Sequence, residues 1–331
     1  MESELMKDFY EWGSGLGRKV SEVNSRLLEA IQSDQEDLFS MSRYTIEAGG
    51  KRFRPLLTIL AYQISTDADY RNILDLAAGY ELIHTASLLH DDIIDKAATR
   101  RGRPTLNSIY GIDNAIVVGD YLFAKAYELG SRYGPAVSKI MADASSRLAE
   151  GQILEAVNLG NIDLREETYL QIISNKTAKF FEACALGATV ASGASVEVRE
   201  SLQNFSYNLG MAFQVTDDIL DVIGDPNKMG KPVFTDLKHS AITIPFIHAL
   251  ANVNAKERAE FIGLMENPSD QDNDKRIKEI IVTSGSLDYS FSIAKSFTES
   301  ALNSIKGTRR TPDLDLLIEL AMMVVQRIQE I

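Results

Sequence analysis

The sequence contains one cysteine, four histidines and eight prolines in 331 residues, and each low count excludes a class of protein. The single thiol, Cys184, cannot form an internal disulfide framework, and so few Cys and His side chains make a typical zinc site improbable. Few prolines, together with an ordinary number of glycines (21), argue against a β-sandwich or barrel, which needs frequent turns.

Basic residues are scarce relative to acidic ones. The 34 Lys and Arg residues stand against 47 Asp and Glu residues, which gives a formal net charge of −13. A general nucleic-acid-binding protein needs a basic stripe, and the sequence has none. Small anionic substrates remain possible, because a few cations or bound metal ions reverse the potential locally.

Long apolar runs are also missing. The N-terminal residues MESELMKDFYEW lack the basic start and apolar stretch of a signal peptide. The longest uncharged run, 239–255, is interrupted by Pro245 and by polar residues, so no segment is expected to span a membrane. These features predict a cytoplasmic protein.

Helical periodicity is the dominant pattern that the sequence does contain. Apolar residues recur at spacings of three and four through 71–95, 115–130, 139–158, 166–193, 199–222, 257–266, 287–305 and 314–329. The loosest patches, 266–275 and 306–313, are short, and no alternating run is bounded by hairpin turns. We therefore predict one all-α domain over 1–331 with about ten or more helices, although length alone suggests two domains.

One acidic pattern occurs twice: residues 91–95 read DDIID and residues 217–221 read DDILD. On a helix, the first and fifth residues of each pattern share a face, and the second points about 100° away. Three neighbouring carboxylates repel one another unless cations neutralise them. One such cluster could be an ordinary solvated patch, but two of identical spacing favour magnesium, which bridges carboxylate and phosphate oxygens.

Basic residues are placed where they could hold an anion between the two clusters. Residues 49–55 read GGKRFRP, in which Lys51 and Arg54 lie three positions apart and the glycines permit close backbone approach. Further basic residues are Arg100, Arg101, Lys176 and Lys231. Each is individually a common surface charge, but with two magnesium-type clusters they indicate a diphosphate site.

Together these motifs resemble the trans-isoprenyl diphosphate synthases, also called polyprenyl synthetases. The matching segments are GGKRFRP (49–55), ELIHTASLLHDDIID (81–95), TRRGRPTLNSIYG (99–111), VGDYLFAKA (118–126), EGQ (150–152), NKTAKFF (175–181), MAFQVTDDILDVIGD (211–225), GKPVFTDL (230–237) and IPFIHAL (244–250). The resemblance implies a helical bundle around a central apolar cavity, assembled as a homodimer. It also implies chain-elongating condensation of isopentenyl diphosphate with an allylic prenyl diphosphate, with release of diphosphate.

The resemblance further implies roles for individual residues. Those implied to hold about three Mg²⁺ ions on the allylic diphosphate are Asp91, Asp92, Asp95, Asp217, Asp218 and Asp221. Those implied to contact that diphosphate are Arg100, Lys176 and Lys231, and those implied to bind isopentenyl diphosphate are Lys51, Arg54, His84 and Arg101. Thr177 and Gln214 would line the site beside the reacting carbons, where their dipoles could steady an allylic cation.

Product length should depend on the residues upstream of Asp91. Ala86 and Ser87 lie about one turn before it. In short-chain members of the family, a bulky aromatic residue at this place forms the floor of the apolar tunnel that holds the growing chain. Tyr80, about 16 Å from Asp91 along the helix, is a candidate for a deeper floor of this tunnel, and Ile83 lies between Tyr80 and Asp91. We predict a product longer than C20. The alternative products are geranylgeranyl (C20) and farnesyl (C15) diphosphate. As a separate alternative, Ala86 and Ser87 merely pack against a neighbouring helix, and another helix supplies the floor.

Two residues in the stretch FTDLKHSA (234–241) depart from the family's pattern. Phe234 replaces a glycine, and Ala241 stands where a lysine is expected, with Lys238 as a candidate substitute. This departure motivates one alternative, a non-catalytic regulatory subunit of a heteromeric synthase, against which the intact aspartates argue. A terpene cyclase is disfavoured, because that class usually has one DDxxD cluster and no second-substrate motif. Arg327 resembles a family arginine near the C-terminus.

Overall fold

The computed structural model describes residues 15–224, 233–266 and 271–328, and these ranges are almost entirely helical. The helices are α1 (Leu16–Ala30), α2 (Glu36–Glu47), α3 (Phe53–Ser65), α4 (Leu74–Ile94), α5 (Leu106–Tyr110), α6 (Ile112–Ser131), α7 (Pro135–Ala156), α8 (Glu166–Ile173), α9 (Lys179–Ala191), α10 (Val196–Ile223), α11 (Thr235–Lys238), α12 (Ile244–Asn252), α13 (Ala255–Met265), α14 (Gln271–Thr283), α15 (Ser286–Ser304) and α16 (Pro312–Gln326). A 3-10 turn, Tyr70–Ile73, precedes α4, and a π-helical turn, Ser174–Ala178, separates α8 from α9. The all-α prediction is confirmed.

Two local elements differ from the prediction. Helix α14 begins inside the patch 266–275 that we expected to be irregular; Ile277, Ile280 and Ile281 supply its buried face. A hairpin pairs strands β1 (Thr99–Arg100) and β2 (Arg103–Pro104). Its two turn residues both have positive φ, 52° at Arg101 and 73° at Gly102, which is the geometry that joins paired strands most tightly.

The two helices that end in aspartate clusters occupy the interior of the fold. Helix α4 packs against α6, α3 and α1, and it is buried on most of its circumference. Helix α10, the longest one described, packs between α9 and α15. Helix α9 contacts both of them as well as α3 and α7, and the π turn at its start packs against α10 and α7.

The apolar side chains form two cores that meet along α10. Its first half contributes Leu202, Phe205 and Leu209 to a core shared with α1, α3, α4, α6, α7, α9 and α16. Its second half contributes Val215 and Ile219 to a core built with α8 and α11–α15. Within the described ranges, no helix is long and apolar enough to cross a membrane.

Candidate active site

The first aspartate cluster ends helix α4 and contains one buried carboxylate. Asp92 is only 3% exposed, whereas Asp91 is half-buried and Asp95, which follows the helix, is exposed. Asp92 Oδ1 accepts a hydrogen bond from Arg100 Nε at 2.6 Å. The cluster therefore has one carboxylate held by an arginine inside the protein, and two that lie nearer the surface.

Burial shifts the protonation of this cluster. It raises the pKa of Asp91 to about 6, against the attraction of Lys176, and repulsion from Asp95 adds to the rise. Burial also raises the pKa of Asp92, opposed by Arg100. A cation bound to these carboxylates would favour their charged forms, so metal binding and proton release are coupled here.

The second cluster lies in the last turns of α10 and contains two buried carboxylates. The Tyr169 hydroxyl donates to Asp218 Oδ2 at 2.5 Å, and Gln214 Nε2 donates to Asp218 Oδ1 at 2.9 Å. Burial raises the pKa of Asp218 to about 7, although both of these hydrogen bonds lower it. Asp218 is thus fixed from two sides by side chains of α8 and α10.

Asp221 holds the start of the short helix α11. Its Oδ1 accepts from the backbone N of Thr235 at 3.2 Å and from the Thr235 hydroxyl, and its Oδ2 accepts from Asp236 N at 3.0 Å. Asp221 is 2% exposed. This carboxylate is therefore occupied by backbone donors of the chain that follows the cluster.

Asp217 is the half-buried member of the second cluster. Its Oδ1 lies 2.8 Å from Arg327 Nη2, but the contact lacks hydrogen-bond geometry, and this buried oxygen accepts no hydrogen bond. The Arg327 guanidinium also lies 5.5 Å from the ring centre of Phe213. The Asp217 side chain is 29% exposed as a whole, so part of the carboxylate remains accessible to a ligand although Oδ1 is buried beside Arg327.

Lys176 and Thr177 are carried by the π turn. Lys176 Nζ forms an ion pair with Glu155 Oε2 of α7. The Thr177 hydroxyl donates to Gln214 Oε1 at 2.9 Å, and Gln214 donates in turn to Asp218. The structure therefore joins three predicted site residues in one hydrogen-bonded chain, and it adds Glu155, which sequence reasoning missed.

Two glycines on neighbouring helices make room for the widened turn. A Cβ atom at Gly151 of α7 would lie 2.8 Å from the backbone N of Lys176, and one at Gly210 of α10 would lie 2.7 Å from Ala178 Cα. Both distances are shorter than side chains tolerate. Single π turns inside helices occur often at functional sites, and this one places Lys176 and Thr177 beside the second cluster.

The GGKRFRP motif divides into structural and site-facing residues. Arg52, which we had not singled out, forms a buried ion pair with Glu81 at 2.8 Å. The Arg54 guanidinium lies 5.0 Å from the Phe181 ring centre and 5.4 Å from that of Phe180. Burial lowers the pKa of Arg54, and its Nε has no hydrogen-bond partner in the described residues. Lys51 lies half-buried beside them.

His84 is surrounded by arginines. Its pKa is held well below the usual range by burial and then by Arg54, Arg101 and Arg100, with a smaller effect of Arg52. Two of these arginines are paired with carboxylates, Arg52 with Glu81 and Arg100 with Asp92, which leaves Arg54 and Arg101 as the cations available to an anion here. An anion bound here would be attracted by both charges at once.

Arg101 lies against the two glycines of the same motif. Its Nη1 contacts the carbonyl oxygen of Gly49, and a Cβ at Gly50 would lie 2.9 Å from that nitrogen. Arg103 attaches the hairpin to the end of α2, because its Nη1 donates to the Glu47 carbonyl at 3.1 Å. Glycine is favoured at position 50 because its φ of 145° is a conformation that other residues rarely adopt.

A cavity of about 180 Å³ opens beside the second cluster. Lys176, Gln214 and Asp218 line its polar side, and Ala241, which stands where the family pattern has a lysine, also lines it. Lys238 is exposed and does not line this cavity, so it is not a substitute for the missing lysine there.

The predicted chain-length residues lie in the interior. Ala86 and Ile83 are fully buried and Ser87 nearly so. Tyr80 spans from α4 to α9: its hydroxyl donates to the Ala183 carbonyl at 2.6 Å, and a Cβ at Gly187 would lie 2.4 Å from the same hydroxyl. The Tyr80 ring also meets that of Phe180 edge-on, with 5.7 Å between ring centres.

Two predicted features need separate comment. Lys231 lies outside the described residues. Within those residues, no three carboxylate, imidazole or thiolate groups converge as a metal site made of protein alone would require. The donors nevertheless fit magnesium, which is usually held by one or two carboxylates and completed by water and substrate phosphates. The partly exposed carboxylate of Asp217 and the repelling pair Asp91 and Asp95 are the donors of this kind.

Comparison with known proteins gives consistent matches. A family model described as Polyprenyl synthetase matches residues 35–283. Octaprenyl diphosphate synthase from Haemophilus influenzae is 33% identical over 309 residues, covering 93% of this chain and 94% of that enzyme. A short chain isoprenyl diphosphate synthase from Methanocaldococcus jannaschii is 36% identical over 276 residues, covering 82% and 83%. A crystal structure of a polyprenyl synthase from Caulobacter crescentus, complexed with calcium and isoprenyl diphosphate, has a TM-score of 0.89 at 32% identity and covers 99% of both chains.

The matches extend over both aspartate clusters and over the helices that carry them. The family model spans 249 of the 331 residues (283 − 35 + 1), and the relatives exceed 30% identity over most of the chain. The resemblance inferred from the motifs in 49–250 is therefore confirmed. This chain belongs to the polyprenyl synthetase family and is a trans-prenyltransferase.

Proposed function

We propose that the protein condenses isopentenyl diphosphate with an allylic prenyl diphosphate in the presence of Mg²⁺, and that it extends the product beyond C20. The observation that carries this proposal is the position of Lys176, whose charge acts on Asp91 of the first cluster and which lines a cavity with Asp218 of the second. Arg54 and Arg101, whose side chains pack against Phe181 and the Gly49 carbonyl, would supply a second anion site. A relative whose crystal structure contains calcium and isoprenyl diphosphate supports the use of divalent metal and of such substrates.

The six aspartates divide into two groups in this proposal. Asp91, Asp95 and Asp217 would hold the metal ions, because they are the members whose side chains are half-buried or exposed. The buried members are Asp92, Asp218 and Asp221, and each already accepts hydrogen bonds from the protein. They would fix the helix ends that present the other three.

Each reacting group would have its own part of the site. Bound Mg²⁺ would neutralise the charge that develops on the leaving diphosphate. Lys176 would bind the allylic diphosphate, and Arg54 and Arg101 would bind isopentenyl diphosphate. Thr177 and Gln214 are fixed by hydrogen bonds to one another and to Asp218, so their dipoles could steady the allylic cation without reorganising. The double bond of isopentenyl diphosphate would attack that cation, and a proton would then leave, most simply to the departing diphosphate.

The expected product length rests on helix α4. Small side chains at Ala86 and Ser87 leave no bulky floor one turn from the aspartates, and Tyr80 lies deeper, locked against α9. The relatives include an octaprenyl synthase and a short chain synthase at similar identity, so identity alone does not decide the length. Geranylgeranyl diphosphate (C20) is the runner-up product.

The deciding experiment is a product assay with purified protein. Mg²⁺ and labelled isopentenyl diphosphate are supplied with dimethylallyl, geranyl or farnesyl diphosphate, and the dephosphorylated products are separated by length. We expect products longer than C20 from at least one starter. No product from any starter would favour the non-catalytic subunit, and a series that ends at C15 or C20 would contradict the length.

We also propose that the protein forms a homodimer, as the family resemblance implies. Large apolar side chains are exposed on the adjacent helices α5 and α6, namely Ile109, Tyr110, Ile112, Ile116 and Val117. Such a group of exposed apolar residues is typical of a protein interface. Light scattering after size-exclusion chromatography should give twice the chain mass of 36.6 kDa for the wild type. The Ile116→Glu variant should have the mass of a single chain.

A further inference from the structure

Phe234 has a backbone conformation that is unusual for its side chain. Its φ of 55° and ψ of 31° lie in the left-handed region, which is unfavourable for a bulky residue. It stands where the family commonly has a glycine. Such a conformation persists only where surrounding contacts impose it, and it is found mainly at functional sites.

The contacts that impose it are aromatic. The Phe234 side chain is 2% exposed, and its ring meets that of Phe246 nearly at right angles, with 6.4 Å between ring centres. Phe246 stacks in turn on Phe261 at 6.0 Å. Burial of the ring in the second core therefore offsets the unfavourable backbone.

The left-handed turn directs three successive residues at Asp221. Phe234 N donates to the Asp221 carbonyl at 2.7 Å, Thr235 N to Oδ1 at 3.2 Å and Asp236 N to Oδ2 at 3.0 Å. Both carboxylate oxygens of the last aspartate in the second cluster are thereby fixed. Without the turn at Phe234, these donors would not converge.

The same segment builds one wall of the cavity. The Asp236 carbonyl accepts from Ala241 N at 2.9 Å, and the Ser240 carbonyl accepts from Gly160 N at 2.7 Å. Asp236 and Ala241 both line the cavity beside Lys176. Burial of the Phe234 ring therefore fixes the wall of the cavity as well as the donors to Asp221.

We propose that Phe234 is a positioning residue whose buried ring fixes residues 234–243 around Asp221 before Mg²⁺ and diphosphate bind. The inference rests on the proposed function, since it assigns the second cluster to metal and diphosphate binding. A glycine at this position would adopt the same left-handed conformation, but it has no side chain to anchor the turn in the core. The protein would then have to order the segment each time the ligands bind, which weakens binding.

The test compares alanine substitutions of two rings in one aromatic group. Phe234→Ala removes the anchor, and Phe261→Ala removes a fully buried ring of the same core that stacks on Phe246. Binding of inorganic pyrophosphate is measured by calorimetry as a function of Mg²⁺ concentration, and amide hydrogen exchange is measured over residues 235–243. Phe234→Gly and the milder Phe234→Leu complete the series, so the question remains answerable if the alanine variant does not fold.

We expect Phe234→Ala and Phe234→Gly to raise the Mg²⁺ concentration for half-maximal pyrophosphate binding about tenfold or more and to speed exchange over 235–243. Phe234→Leu should have smaller effects on both measurements. Phe261→Ala should lower thermal stability but change neither the Mg²⁺ requirement for pyrophosphate binding nor the exchange over 235–243. The proposal is overturned if Phe234→Gly behaves as wild type, or if Phe261→Ala reproduces the binding defect. Wild-type protein that binds Mg²⁺ and pyrophosphate but forms no prenyl product would contradict the proposed function and leave this inference standing.

Discussion

Replacing Asp91 by asparagine should stabilise the metal-free protein at neutral pH and at the same time abolish turnover. Asp91 lies half-buried in the last turn of α4, where Asp95 repels it and Lys176 attracts it. Asparagine keeps the size and most of the hydrogen-bonding capacity of the side chain but removes its charge. The variant therefore separates a role in metal binding from a role in folding.

The size of the effect follows from the pKa of Asp91, which burial raises from 3.8 to about 6. A difference of about 2 units corresponds to about 3 kcal/mol between the two protonation states. Because the folded protein favours the protonated form, the wild type loses this stability as the pH rises from about 4 through about 6. At pH 7.5 the variant should be more stable by up to about 3 kcal/mol, and near pH 4 the two should be equal.

The assay is thermal unfolding in the presence of a chelator at several pH values between 4 and 8. The matched control is Asp95→Asn, whose exposed carboxylate is solvated and should change stability much less. Turnover with saturating Mg²⁺ should fall by orders of magnitude in Asp91→Asn. A variant that is less stable than wild type at pH 7.5, or one whose advantage does not grow with pH, would refute the electrostatic reasoning, and near-normal turnover would refute the metal assignment.

Three further predictions concern substrates, product length and the buried second cluster. Lys51→Ala should raise the KM of isopentenyl diphosphate more than that of the allylic substrate, and Lys176→Ala should do the reverse; equal effects in both variants would contradict the assignment. Ala86→Phe should shorten the product and Tyr80→Ala should lengthen it in chain-length analysis, and unchanged distributions would remove α4 from the tunnel wall. Tyr169→Phe should raise the Mg²⁺ concentration for half-maximal pyrophosphate binding about tenfold, because it removes a fixed donor to a buried carboxylate; wild-type binding would make that hydrogen bond irrelevant to the site.

The helices could be predicted from the sequence because their apolar spacing is a local property. The segment 166–193 shows the limit of that reasoning. Its periodicity indicates one helix, but the structure has α8, a π turn and α9. The turn depends on the absence of side chains at Gly151 and Gly210, which belong to other helices, so no local pattern in 166–193 reveals it.

The different burial of the individual aspartates could not be predicted from their spacing either. Both clusters have the same internal pattern, yet the partners that bury individual members come from distant positions. Tyr169 precedes Asp218 by 49 residues, and Arg327 follows Asp217 by 110 (327 − 217). Tyr169 does lie seven residues before Lys176, two helical turns away, which is the one signal that could have drawn attention to it.

The ion pairs of the site suggest which contacts are exchanged during binding and which are permanent. Lys176 pairs with Glu155, and their side chains are 25% and 28% exposed, whereas the Arg52 and Glu81 pair is 5% and 3% exposed. A partly exposed pair contributes little, because water solvates both charges, so Lys176 can leave Glu155 for a diphosphate at small cost. Breaking the buried pair would leave an uncompensated charge inside the protein and is strongly unfavourable. In the proposed function, the cations of the GGKRFRP motif would therefore lie beside a charge pair that binding does not disturb, while Lys176 would exchange Glu155 for the diphosphate.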